Sequence, residues 1–130
     1  MKLIRILTVL LLSATVASAS RVPLNLDTVT NAIVGESAAG PFQVKLGIAE
    51  TIWRRRSLSG VYGYNAPHNR NESTKVWADA RRAAVQGLKT NITKGATHFG
   101  CKADVEKGTF TGLKLTCILG SGNNATYFFR

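Results

Sequence analysis

Carboxylates are scarce in this chain. Seven Asp and Glu stand against 17 Lys and Arg in 130 residues, a formal net charge of +10. That balance draws a protein to polyanions such as nucleic acid, anionic membranes or bacterial walls, or simply keeps it in solution. No recognisable nucleic-acid-binding motif accompanies the charge, so a nucleic-acid partner is disfavoured. Long apolar runs are also absent. The run from Ile6 to Leu12 is broken by Thr8 and is too short to span a bilayer. Cysteine is rare, with Cys101 and Cys117 alone. A metal site on His98, Cys101 and Cys117 would be short of ligands and fits no known spacing. Neither a metal nor a cofactor is therefore expected. Internal repeats and low-complexity tracts are missing, and the length allows at most one small domain.

The first residues read as an address rather than as structure. Lys2 and Arg5 form a positive region, the apolar run follows, and Ala17-Ser18-Ala19 is an A-x-A cleavage site. This predicts a secretory signal peptide over residues 1–19 and a domain over 20–130, secreted or periplasmic, with no stable membrane insertion after cleavage. Loss of Lys2 and Arg5 leaves 15 Lys and Arg against the same 7 acidic residues, a net of +8. In an exported protein, Cys101 and Cys117 are expected to pair. The disulfide would close a loop of about 16 residues and contribute roughly 3 kcal/mol through loop entropy.

The remaining pattern predicts three helices followed by a short antiparallel sheet, an α+β fold. Asp27 can cap a first helix through Ser37, with Val29, Ile33 and Val34 inward. Gly40-Pro41 breaks the chain, and a second helix over 42–56 buries Val44, Ile48, Thr51 and Ile52 at three- and four-residue spacing. It ends in Trp53-Arg54-Arg55-Arg56, cations that suit a helix C-terminus. A loop over 57–70 carries Tyr62 and Tyr64. Ser73 or Thr74 caps a third helix to about Leu88, with Val76, Trp77, Ala80, Ala84 and Leu88 on its buried side. Residues 95–99 read as a short extended run. Leu113–Leu119 and Ala125–Phe129 read as a hairpin about Gly-Ser-Gly-Asn-Asn. N-x-S/T sequons begin at Asn71, Asn91 and Asn124, and mark surface glycans only in a eukaryotic secretory route.

Glu36 is the residue with chemistry in this layout. It falls in the last turn of an otherwise apolar helix, where apolar neighbours and the helix dipole both favour the protonated carboxyl. A carboxyl so perturbed serves as a general acid near neutral pH. The plainer alternative is a solvated glutamate at a helix end.

The motifs themselves add a resemblance. Gly35-Glu36-Ser37-Ala38, then Ala49-Glu50-Thr51-Ile52-Trp53-Arg54-Arg55, resembles the opening of the SleB-type cell wall hydrolases, where a G-E-A stretch precedes a helix ending in N-R. Ser59-Gly60-Val61-Tyr62-Gly63 resembles the loop that follows, and Lys75-Val76-Trp77 the family's third helix. Thr93-Lys94-Gly95-Ala96-Thr97-His98-Phe99 resembles its G-A-x-x-F segment, the most specific of these matches. Ile118-Leu119-Gly120 and Tyr127-Phe128-Phe129 resemble its closing strands. The likeness runs in order over most of residues 30–130. Two positions depart: Arg54 stands where the family has Asn, and the His near the last strand is missing, with Asn123 and Asn124 nearby.

The resemblance implies a lysozyme-like domain that cuts peptidoglycan glycan strands between N-acetylmuramic acid and N-acetylglucosamine, typically as a lytic transglycosylase. Its essential Glu maps to Glu36. Ordinary glycosidases use two carboxylates. A transglycosylase needs one, because the muramyl 6-hydroxyl is the nucleophile, and only Glu50 joins Glu36 on the organising helix pair. Substrate contacts are expected from Glu50 (or else an ion pair with a neighbouring Arg), from Tyr62 and Tyr64 as sugar-stacking rings, and from Thr97 or His98 on the cleft floor. Trp77 is read as core. The protein would act as a monomer. The alternative is an inactive cationic wall-binding protein on the same scaffold.

Overall fold

The computed structural model describes residues 22–130, so the signal-peptide reading of residues 1–19 lies outside the described residues. Helix α1 spans Leu26–Ser37 and α2 spans Phe42–Arg55. The cap of α1 is Asn25 rather than Asp27. Asn25 Oδ1 accepts the Thr28 N–H, and Thr28 Oγ1 accepts the Asn25 N–H, at 2.9 and 3.0 Å. This reciprocal pair satisfies two donors that the first turn of a helix otherwise leaves open. The apolar stripe of α1 is fully buried through Val29, Ala32, Ile33 and Val34.

The α1–α2 turn is clipped from within. Lys45 is buried, and its ammonium donates to the carbonyls of Ala38 and Gly40 at 3.2 and 2.6 Å. Those carbonyls lie at and just beyond the end of α1, where acceptors lack intrahelical partners and a cation is favoured. Helix α2 ends where Arg56 enters the left-handed region at φ 56° and returns its N–H to Ile52 and Trp53. Helix α3, Thr74–Gln86, is capped by Ser73, whose Oγ accepts the Val76 N–H at 3.2 Å. It stops short of Leu88, which is exposed rather than buried. Trp77 packs against the core from a half-buried position.

Three antiparallel strands complete the domain: β1 His98–Gly100, β2 Leu115–Leu119 and β3 Thr126–Phe129, in the order β1-β3-β2. The hairpin of β2 and β3 carries a bulge between Leu115 and Cys117. Adjacent residues of a strand face opposite ways, and the central strand uses this. Phe128 turns into the helices, where a Cβ on Gly47 of α2 would meet its ring at 2.7 Å. Phe129 turns to the other face and stacks on Phe110, with ring centroids 4.5 Å apart. Phe110 follows a short fourth helix, α4 (Lys102–Glu106), that the sequence pattern does not announce. The helices cover one face of the sheet and Phe110 part of the other, while Leu115 and Ile118 of β2 stay exposed, and α2 packs into the core of an α+β domain. Among the described residues no helix is long and apolar enough to cross a membrane.

Candidate functional site

A cleft of about 640 Å³ opens between the end of α1, the loop after α2 and the far side of the sheet. Glu36 lines it beside Ser37 and the Ala38–Gly40 turn, together with Tyr62, His98, Phe99 and Phe110. Glu36 is exposed, so the apolar surroundings expected around its carboxyl are not found. What holds it is a backbone donor. The Gly63 N–H donates to Glu36 Oε1 at 3.0 Å.

That contact depends on two glycines. A Cβ on Gly35 would overlap the Gly63 carbonyl, and a Cβ on Gly63 would meet the Ala32 carbonyl oxygen at 2.6 Å and Glu36 Cγ at 2.7 Å. Only two residues without side chains let the Gly63–Asn65 turn lie against α1 closely enough to reach the carboxylate.

Other expected site residues separate into two groups. Tyr62 lines the cleft and is 83% exposed, a broad ring open to a ligand. His98 lines it as well. Burial pushes its imidazole below the usual value and the nearby Arg55 charge adds to this, so the ring is neutral at pH 7. Thr97 does not line the cleft; its hydroxyl lies 3.0 Å from His98 Nδ1 and orients the ring. Tyr64 is half-buried against the core, away from the cleft.

Glu50 is corrected more fully. It is 1% exposed, does not line the cleft and, among the described residues, forms no ion pair with an arginine. Its carboxylate accepts the hydroxyls of Thr90 and Thr93 and the backbone N–H groups of Ile92 and Thr93. Burial alone would raise its pKa, but these hydrogen bonds outweigh burial and hold it below the ordinary carboxylate value. Glu50 anchors the 90–93 loop to α2.

The cleft also holds residues to which the sequence pattern assigns no site role; Asn123 and Asn124 stand out there only as lying near the family's missing His. Arg55 enters from the end of α2, and Asn123 and Asn124 from the β2–β3 turn. Asp104 enters from α4, so a second carboxylate does share the cleft with Glu36. The thiol and the backbone N–H of Cys101 both donate to Asp104 Oδ2, at 3.1 and 3.0 Å, and hold its pKa below the ordinary value. The one signal for this in the sequence is the spacing of Cys101 and Asp104, an N-cap and its third residue.

The expected disulfide is not present. Cys101 and Cys117 are free thiols. Cys101 is exposed at the start of α4 with its sulfur on Asp104, while Cys117 packs against the core from β2. Each side chain is committed to its own surroundings. Among the described residues no three His, Cys, Asp or Glu side chains gather into a group able to hold a metal ion.

Compared with family models, with curated proteins and with solved structures, the chain matches none.

Proposed function

We propose that this protein is an exported enzyme that cleaves the glycan strands of peptidoglycan, with Glu36 as acid and base. The observation that carries the reading is the placement of Glu36: an exposed carboxyl lining a cleft, one oxygen held by the Gly63 N–H, in a cleft that the exposed ring of Tyr62 also lines. The resemblance of the Gly35–Ala38 and Thr93–Phe99 segments to the SleB-type hydrolases supports it. In the forward step Glu36 gives its proton to the glycosidic oxygen as the bond to the anomeric carbon breaks. The resulting carboxylate then takes the proton of the muramyl 6-hydroxyl as that oxygen closes on the anomeric carbon. Glu36 ends protonated, and the products are an anhydromuramyl end and a free N-acetylglucosamine hydroxyl.

Asp104 favours a second route through the same cleft. A carboxylate kept ionised beside a general acid can deprotonate water or stabilise positive charge at the anomeric carbon, the pairing that ordinary glycosidases use. Mass spectrometry of fragments released from insoluble peptidoglycan separates the two, since transglycosylation leaves anhydromuramyl ends and hydrolysis leaves reducing ends.

Glu36→Gln is expected to remove turnover by either route while keeping the fold. The amide is nearly isosteric and lacks only the proton, and a positioned general acid contributes about 10²–10⁴-fold. Near-normal release of muropeptides by this variant would sink the reading. No release by the wild type, with retention on walls, would identify a cationic wall-binding protein instead.

A further inference from the structure

Asn69 lies in the second short 3-10 turn of the loop, Pro67–Asn71, and is 5% exposed. Its Nδ2 donates to the Gly63 carbonyl at 2.9 Å and to the Asn31 carbonyl of α1 at 3.2 Å. Both partners are pure acceptors, so only the NH₂ end of the amide can face them. The other end is left over. Asn69 Oδ1 is buried and, among the described residues, has no hydrogen-bond partner. A buried, unpaired carbonyl is a cost that an apolar side chain of similar size would not incur. What Asn69 supplies in return is its grip on Gly63.

That grip reaches the cleft. Gly63 gives its N–H to Glu36 Oε1, and its carbonyl accepts both the Asn69 amide and, within the turn, the Ala66 N–H. Glycine lacks the Cβ that restricts backbone rotation, so a glycine that must aim an N–H needs an external hold. Asn69 fixes the peptide after Gly63 and, through Asn31, ties it to the helix that bears Glu36.

We infer that Asn69 is a positioning residue for Glu36, clamping Gly63 so that its N–H fixes one carboxylate oxygen and leaves the other turned to the glycan. This rests on the reading of Glu36 as the acid of the cleft.

The test uses Asn69→Ala, which deletes both donors, and Asn69→Asp, which keeps the shape and replaces the donor with an acceptor. In both, kcat on soluble glycan strands should fall by about ten- to a hundred-fold with little change in KM, the scale expected when a catalytic group is displaced by about an ångström. Amide exchange at Gly63 should quicken at least about ten-fold while that of Ile33 and Ile48 in the core is unchanged, and Glu36→Ala should release the Gly63 amide likewise. As the pH falls, the Asn69→Asp variant should gain on the Asn69→Ala variant, because the protonated acid can again donate to Gly63. A purely structural role predicts a lowered Tm with kcat unchanged in folded protein. That result, or unchanged Gly63 exchange in both variants, overturns the inference. If Asn69→Ala does not fold, the Asn69→Asp variant decides. If the wild type cleaves no glycan, the reading of Glu36 fails, and Gly63 exchange still decides whether Asn69 clamps the turn.

Discussion

Glu36 and Glu50 carry the same carboxyl into opposite surroundings, and the difference can be measured. Glu36 takes one backbone hydrogen bond at the cleft wall; Glu50 is enclosed and takes four. Glu50→Gln should therefore act on stability rather than on chemistry. Each carboxylate oxygen accepts a threonine hydroxyl and a backbone N–H, so the amide NH₂ that replaces one oxygen would face both of its donors. The cost should be about 3 kcal/mol at pH 7, read from the shift in denaturant midpoint. The pH dependence has a definite sign. Because the folded pKa of Glu50 is depressed, its contribution is present above the ordinary value of 4.5 and is lost as the pH falls through the folded value. The stability gap between wild type and Glu50→Gln should accordingly narrow below pH 4.5. A gap that stays constant into acid would mean that Glu50 is not charged in the folded protein. From the sequence, the place of Glu36 beside a Gly-Pro break was legible. The contact that holds it was not, since it comes from a loop 27 residues away and leaves no periodic trace. Glu50 misled for a related reason. Half of its partners are backbone N–H groups of a loop, which have no sequence signature, and the other half are threonine hydroxyls some 40 residues further on.

At the scale of elements, what the pattern reveals depends on length and on burial. Helices α1, α2 and α3 each bury a stripe at helical spacing, and each announces itself. Helix α4 has five residues and buries none of them, so no apolar period exists to be read. Missing it had a chemical consequence, because α4 brings Asp104 and Cys101 into the cleft. It also explains the thiols. Cys101 starts α4 with its sulfur on Asp104, whereas Cys117 belongs to β2 and is half-buried. The expected outcome is two titratable thiols in protein purified without reductant. Cys101 should react first with a maleimide. Cys117 should lag by at least about ten-fold, because burial raises its pKa and limits access. Non-reducing mass analysis that finds the protein two protons lighter, with no thiol to label, would refute this.

Across the whole molecule, the order of patterns, three helices and then a hairpin, was enough to anticipate an α+β domain. It was not enough to say which cleft the two parts would enclose. Charge is the one property that acts at this scale irrespective of the fold. A net of +8 left after the expected signal-peptide cleavage, 15 Lys and Arg against 7 Asp and Glu, would draw the chain to anionic walls whatever the cleft does. Raising ionic strength from 0.1 to 1 M shortens the screening length from about 10 to about 3 Å. Retention on insoluble peptidoglycan should fall steeply over that range. The Glu36→Gln variant should follow nearly the same curve as the wild type, because replacing one carboxyl by a neutral amide changes the net charge by at most one. Cleft contacts behave differently. If the cleft takes a sugar, stacking on Tyr62 and hydrogen bonds to it would be short-ranged and screened far less by salt. Retention that persists unchanged at 1 M salt would mean that the cleft, not the surface charge, holds the wall. A Tyr62→Ala variant should then be the one that lets go.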